Sequence, residues 1–387
     1  MKTLDDFDFK NKRVLVRCDF NVSINNGKIV DNYRIIKTLP TIQFLKEKNA
    51  KVILMSHLGE PIGRDKNFTL KPVADELSRL LNEEVVFIDD CIGRRVEKEV
   101  KKLRPGKVAL LENLRFYSQE EANLPEFARA LARLGDIFVQ DGFSVCHRSH
   151  ASVVGVPLLL PSCGGRLLQN EVEVLSKVLK NPDRPLVAII GGVKVSTKIK
   201  VIKKFLDIAD HLLLGGKIAN SLLRAKGILV KEPLNGEDKE ILKEIEAVDL
   251  TNPKLHLPVD GVIALKNLEE EYLREGGVAS LKKDEEIFDI GKETIETFKK
   301  IILESKMVFF NGPLGYFERP PFDKGSKEVV KAIVESRAFS IAGGGSTVEF
   351  INKLGLADKF NHLSTGGGAM IEFLVEGSLP GLRAIGY

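Results

Sequence analysis

The run Leu186-Val187-Ala188-Ile189-Ile190-Gly191-Gly192-Val193-Lys194-Val195-Ser196-Thr197-Lys198 decides how the chain folds. Its opening apolar residues, rich in β-branched side chains, read as a strand buried on both faces. Two glycines then turn the chain, and apolar residues three and four apart over Ser196–Ala209 give the next segment a helical period. The same order recurs along the chain. Strands are expected at Arg13–Cys18, Val52–Ser56, Val85–Ile88, Val108–Glu112 and Ile137–Gln140 in the first half. In the second they are expected at His211–Leu214, Met307–Phe310, Phe339–Ala342 and His362–Ser364. Thr69–Leu81, Pro125–Leu134 and Lys324–Glu335 carry the helical period between them. Short apolar strands alternating with helices define an α/β protein, here of two doubly wound parallel-sheet (Rossmann-like) domains. Gln169 to Leu179 reads as a helix, and Asn181-Pro182-Asp183-Arg184-Pro185 stops it, so the boundary is expected in this stretch.

Composition narrows the function. Of 387 residues, 43% are hydrophobic and 29% charged, which suits folded cores and not a disordered chain. Lys+Arg 58 against Asp+Glu 54 leaves +4, too balanced for a protein that lives on nucleic-acid phosphates, so no nucleic-acid partner is expected. Cys18, Cys91, Cys146 and Cys163 have no CxxC spacing, which points away from a zinc cage or a redox pair. The acidic start Met1-Lys2-Thr3-Leu4-Asp5-Asp6 lacks a signal-peptide core, and no apolar run reaches the roughly 18 residues of a membrane span. A soluble cytoplasmic protein with no membrane partner is expected.

Glycines close several strands of the second half: Gly191-Gly192, Gly215-Gly216, Gly312 and Gly315 around Pro313, Gly343-Gly344-Gly345 and Gly366-Gly367-Gly368. One such turn is ordinary. The set places open backbone N–H groups and helix starts at strand C-terminal ends, where phosphates bind. Neither GxxxxGK[ST] nor a post-strand GxGxxG occurs, so a nucleotide would be held by a different arrangement. Lys194 and Lys198 stand four apart on one face of a helix start. Such lysines are commonly solvated, but two cations oppose the dipole of a helix N-terminus unless an anion joins them. In the first half Arg17, Arg34, His57, Arg115, His147, Arg148 and His150 lie near expected strand ends, with Asp19 and Asn21 among them. Each arginine alone reads as a surface or ion-pair residue; together they suit a small polyanion. One half for an anionic substrate and the other for phosphates, with a cleft between, suggest phosphoryl transfer.

Arg17-Cys18-Asp19-Phe20-Asn21, Ser56-His57-Leu58-Gly59, Leu111-Glu112-Asn113-Leu114-Arg115-Phe116 and His147-Arg148-Ser149-His150-Ala151-Ser152 resemble the phosphoglycerate kinase family. So do Gly191-Gly192-Val193-Lys194-Val195, Asn311-Gly312-Pro313-Leu314-Gly315-Tyr316-Phe317-Glu318, Gly343-Gly344-Gly345 and Ser364-Thr365-Gly366-Gly367-Gly368. Each motif is only moderately specific; their order over the whole chain is very specific. The resemblance implies the reaction of 1,3-bisphosphoglycerate with ADP to give 3-phosphoglycerate and ATP, with Mg2+. It implies a 3-phosphoglycerate domain over residues 1–168, a hinge helix at 169–182, a nucleotide domain at 183–370 and a tail at 371–387 returning to the first domain. Hinge-bending closure and a monomeric state come with it. By position, Asp19, Asn21, Arg34, His57, Arg115 and Arg148 would hold 3-phosphoglycerate. Lys194, Lys198, Gly215, Gly291, Asn311, Pro313, Gly315 and Glu318 would surround nucleotide, together with Gly343, Gly344, Gly345, Ser346 and Thr347. Arg34 and Lys198, with the helix N-termini at Gly345 and Gly368, would act on the transferring group.

Three positions depart from the family pattern. Ser346 stands where an Asp usually binds nucleotide-bound magnesium, which leaves the metal ligand unassigned. Glu60 replaces a substrate-side Arg, and Lys217 replaces a glycine. Two alternatives follow: a ligand-binding homologue with impaired turnover through Ser346 and Glu60, and a kinase for another carboxylate.

Overall fold

The computed structural model describes residues 1–193, 195–229, 244, 248–249, 251–268 and 272–387. Val14, Leu15 and Val16 have no exposed surface, and neither do Val52, Ile53 and Leu54, with which they pair in parallel register. Strands this apolar need cover on both faces, which puts them at the centre of a parallel sheet. They belong to β1 (Arg13–Arg17) and β4 (Lys51–Met55). Between them β2 (Ile24–Asn25) and β3 (Lys28–Ile29) form a hairpin, whose turn has Asn26 and Gly27 at positive φ. β5 (Val85–Ile88), β6 (Val108–Leu111), β7 (Ile137–Gln140) and β8 (Ser162–Gly164) complete a parallel sheet in the order β5-β6-β4-β1-β7-β8.

The chain divides into two units. The first comprises Met1–Val174 with Glu376–Tyr387, the second Leu175–Val375. The division falls inside the helix Arg166–Lys180. In the first unit, Gly381 N of the last helix, Pro380–Ala384, donates to Cys146 O at 2.8 Å.

In the second unit β9 (Leu186–Ile190), β10 (His211–Leu214), β11 (Leu255–His256), β15 (Met307–Asn311), β16 (Phe339–Gly343) and β17 (His362–Ser364) form another parallel sheet, ordered β11-β10-β9-β15-β16-β17. β12 (Asp260–Leu265), β13 (Leu273–Gly277) and β14 (Glu285–Ile290) make a separate antiparallel sheet with β12 central. In both parallel sheets the chain leaves a central strand in two directions, β1 in one and β9 in the other. The carboxyl ends beside such a reversal are where ligands settle.

The ten strands expected from sequence are all present, within a residue or two of their expected ends. β8, β11, the hairpin and the antiparallel sheet were not anticipated. β8 is three residues holding Cys163 and Gly164, and β11 is two, too short to show any period.

Gly165, just after β8, shows how tightly the first sheet meets its helix. Asp141 Oδ1 accepts Leu167 N at 3.0 Å at the start of the helix Arg166–Lys180, and a Cβ on Gly165 would lie 2.1 Å from that oxygen. Gly165→Ala should cost about 1–3 kcal/mol by overpacking, read as a lower urea midpoint; an unchanged midpoint would contradict this packing.

Candidate active site

In the first unit, the segments that leave neighbouring strands bring the expected anion residues together. Asp19, two residues past β1, is buried. Its Oδ2 receives Arg34 Nη1 at 2.5 Å and the Ser144 hydroxyl, and its Oδ1 receives Asn21 N at 3.0 Å. Arg34 Nη1 also donates to Asn21 O at 3.3 Å, so one carboxylate and one carbonyl aim this guanidinium. Asn21 Oδ1 in turn accepts Gly59 N at 2.9 Å, tying the loop after β1 to that after β4.

His57 follows β4 and is buried, with Nδ1 3.4 Å from Arg17 Nη2. Burial first, then Arg17, Arg115, Arg148 and Arg34, hold its pKa well below the usual histidine value, so it is neutral near pH 7. Burial first, then Arg17, Arg115, Arg148 and His147, bring His150 down to about 4. Arg17 is itself buried, bonded through Nε to Ser152 Oγ at 2.8 Å, and Ser152 Oγ donates to the buried Glu120. Glu120 thereby supplies a counter-charge to this buried cation.

Arg115 is 4% exposed. Nη1 donates to Gly59 O at 2.6 Å, and Nε lies 3.1 Å from Glu121 Oε1 outside hydrogen-bond geometry. Its buried Nη2 has no hydrogen-bond partner. A buried guanidinium with a donor left over is costly unless an anion completes it. Arg148 is half-buried, and its charge acts on His57 and Arg115. Glu60, 82% exposed along its side chain, places Oε1 3.8 Å from Arg115 Nη1.

In the second unit the glycine turns gather at the ends of β9, β10, β15 and β16. Lys198 lies largely buried in the helix Val195–Ile208, and Nζ donates to Gly191 O at 2.5 Å and Asn311 O at 3.0 Å. Burial lowers its pKa to about 8. Gly192 and Gly312 both have φ +101°, and Cβ atoms there would come within 3.2 and 2.5 Å of Lys198 Nζ. Asn311 is buried; Nδ2 donates to Gly343 O at 2.5 Å, while Oδ1 has no partner. Thr347 Oγ1 accepts Gly312 N at 2.7 Å, fastening the turn after β15 to the helix Gly345–Lys353. Pro313 O packs against Gly191, and Leu314 against Gly215. Gly345 and Gly368 begin the helices Gly345–Lys353 and Gly368–Glu376, and nothing lies within 4 Å of either would-be Cβ. Gly344 at φ +100° precedes the first, and Ser346 is exposed in its first turn.

Gly291 follows β14, and Glu318 is exposed beyond Gly315. Lys217 is exposed at the start of the helix Gly216–Ala225. Lys194 lies outside the described residues. Ser144, Glu120 and Ser152 serve the anion set but escaped sequence reading, because nothing local marks which polar side chain a distant arginine will meet.

The donors here do not fit a resident divalent ion. Among the described residues no group of three or more His, Cys, Asp or Glu side chains is placed to hold a metal. Ser346 offers a neutral hydroxyl, and the Thr347 hydroxyl is engaged by Gly312 N. Hard cations need carboxylates or phosphates.

Two parallel-sheet units, one with an arginine-rich cluster and the other with strand-end glycine turns around a largely buried lysine, define a phosphoryl-transfer protein. The family model for phosphoglycerate kinase matches residues 4–377. Phosphoglycerate kinase from Dictyoglomus turgidum is 45% identical over 385 residues, spanning 99% of this chain and 97% of that protein. The one from Finegoldia magna is 45% identical over 389 residues, spanning 99% and 98%. Among solved structures, phosphoglycerate kinase from Coxiella burnetii superposes with a TM-score of 0.87 at 39% identity, covering 99% of this chain and 98% of its own. That from Pyrococcus horikoshii OT3 gives 0.85 at 36%, covering 100% and 98%. The chain belongs to the phosphoglycerate kinase family, enzymes that transfer phosphate to a carboxyl group of 3-phosphoglycerate. The alternative of a homologue with impaired turnover finds no support in these likenesses. No helix among the described residues is long and apolar enough to cross a membrane.

Histidine titration checks the anion set directly. With both pKa values depressed, His57 and His150 should show neutral imidazole NMR signals throughout pH 6–8, charging only below that range; a His57 midpoint between pH 6 and 7 would contradict the buried arginine field.

Proposed function

We propose that the first unit binds 3-phosphoglycerate through Asp19, Asn21, Arg34, His57, Arg115 and Arg148, and that the second binds ADP or ATP. The observation that carries this reading is a pair of largely buried cations with capacity for an anion. Arg115 keeps a buried donor without a hydrogen-bond partner, and among the described residues Lys198 has only backbone carbonyls for partners. Arg115, Arg148 and neutral His57 suit the phosphate and hydroxyl of the substrate. Asp19 and the Asn21 carbonyl aim Arg34 at the carboxylate oxygens.

The nucleotide is assigned to Gly215, Gly291, Asn311, Pro313, Gly315 and Glu318, and its phosphates to Lys198 and the helix starts at Gly343, Gly344, Gly345, Ser346, Thr347 and Gly368. Lys194 joins them on its sequence motif alone. A 3-phosphoglycerate carboxylate oxygen attacks the terminal phosphorus of ATP as the bond to ADP breaks. The acceptor is already ionised, so no general base is required. What the chain contributes is in-line positioning and neutralisation of oxygen charge, with Arg34 and Lys198 at the transferring group. Ligands held on separate units must meet for this, and we assign that step to hinge-bending closure, which would also keep water from the acyl phosphate. Magnesium is read as part of the nucleotide substrate, carried on its phosphates and water. A monomeric cytoplasmic enzyme without nucleic-acid or membrane partners completes the proposal.

A coupled assay of the purified protein with ATP, magnesium and 3-phosphoglycerate tests it. Turnover is expected, and Lys198→Met or Arg34→Met should lower kcat by roughly 10²-fold or more. No turnover from folded protein that binds both ligands would overturn the assignment. Ser346→Asp should lower the magnesium concentration giving half-maximal rate; an identical magnesium dependence would remove Ser346 from the account.

A further inference from the structure

Asp289 is a buried carboxylate that the transfer reaction does not use, and it touches three segments at once. It is the penultimate residue of β14 and 1% exposed. Oδ1 accepts Ile290 N at 2.9 Å, beside Gly291; Oδ2 accepts Gly325 N at 2.7 Å, in the first turn of the helix Lys324–Glu335. Oδ1 also lies against Gly315, where a Cβ would stand 2.3 Å away. From the same helix Ser326 Oγ accepts Leu314 N at 2.8 Å. The turn carrying Gly315 is therefore seated on Asp289 on one side and bonded to Ser326 on the other.

We propose that Asp289 is a positioning residue for nucleotide: its carboxylate seats the Gly315 turn against the strand end at Gly291 and so sets ADP affinity, without acting on phosphoglycerate. This rests on the reading that nucleotide occupies these two segments. The charges facing Asp289 are few. Its partner on β12 is Val262. Asp323 repels it from the turn before the helix, where Asp323 pairs with Lys327 at 2.5 Å, and Lys324 attracts it from the helix start. Burial, the largest cause, with Asp323 adding to it, pushes its pKa up to about 7 despite the two N–H donors. Protonation converts an accepting oxygen into an O–H and loosens one of the two bonds, so the seat weakens as pH falls through neutrality.

Calorimetric titration with ADP at pH 8 and pH 6, alongside steady-state kinetics, tests this on the wild type, Asp289→Asn and Lys198→Met. ADP itself gains a proton over this range, so the wild type and Asp289→Asn are compared as a difference. The wild type should lose up to about tenfold more affinity between pH 8 and pH 6 than Asp289→Asn, one pH unit below a titrating group being tenfold. At pH 8 Asp289→Asn should raise KM for ADP at least about fivefold, with kcat and KM for 3-phosphoglycerate within about twofold, the pattern of lost ground-state binding. Should Asp289→Asn fail to fold, Asp289→Ser is read the same way. Parallel pH profiles with an unchanged KM for ADP would overturn the positioning role while Lys198→Met still weakens ADP. ADP binding unmoved by Lys198→Met as well would overturn the nucleotide assignment, and the proposal with it.

Discussion

The ammonium group of Lys198, buried against two backbone carbonyls, is the constraint around which the second unit is arranged. Its partners, Gly191 O and Asn311 O, lie where β9 and β15 end side by side, at the centre of the sheet. A cation can approach those carbonyls only where no side chain intervenes. Gly192 and Gly312 therefore take a left-handed conformation that leaves Nζ room, and a Cβ at Gly312 would stand 2.5 Å from it. The two carbonyls accept from the Lys198 ammonium without neutralising its charge, and burial lowers its pKa to about 8. An arriving phosphate would restore the balance. In the first unit Arg115 is the counterpart: a guanidinium anchored to Gly59 O with a donor left over for an anion.

Such groups are poor choices for stability alone, because a buried charge without a matched partner is costly. Two buried charges, Arg17 and Glu285, have matched partners instead. Arg17 reaches Glu120 through Ser152, and Arg274 meets Glu285 at 2.5 Å.

Much of this was legible in the sequence, since parallel strands buried on both faces are written as short apolar runs. Val14-Leu15-Val16 and Val187-Ala188-Ile189-Ile190 could be little else. The glycine turns were legible too, because the φ near +100° at Gly192, Gly312 and Gly344 strongly favours the residue. The antiparallel sheet was not. β13 runs Leu273-Arg274-Glu275-Gly276-Gly277, with no buried apolar face to announce it. Asn26-Gly27 did carry a hairpin signal, yet the flanking strands are two residues each. Within the site, residue types and strand-end positions pointed to the anion set. The partners that orient it, Ser144 on Asp19 and Glu121 beside Arg115, come from segments over a hundred residues away or from an unmarked helix, and only the fold joins them. Glu60, at 3.8 Å from Arg115, brings a further carboxylate to this set.

The most direct measurement is the titration of Lys198 itself, by NMR of protein labelled at lysine Cε, with Lys198→Arg assigning the signal. A midpoint near pH 8 in the free protein that rises when ADP binds would fit a buried ammonium waiting for phosphate. A midpoint near 10.5 that ADP leaves in place would mean that Lys198 is an ordinary solvated lysine, and the central claim would fail.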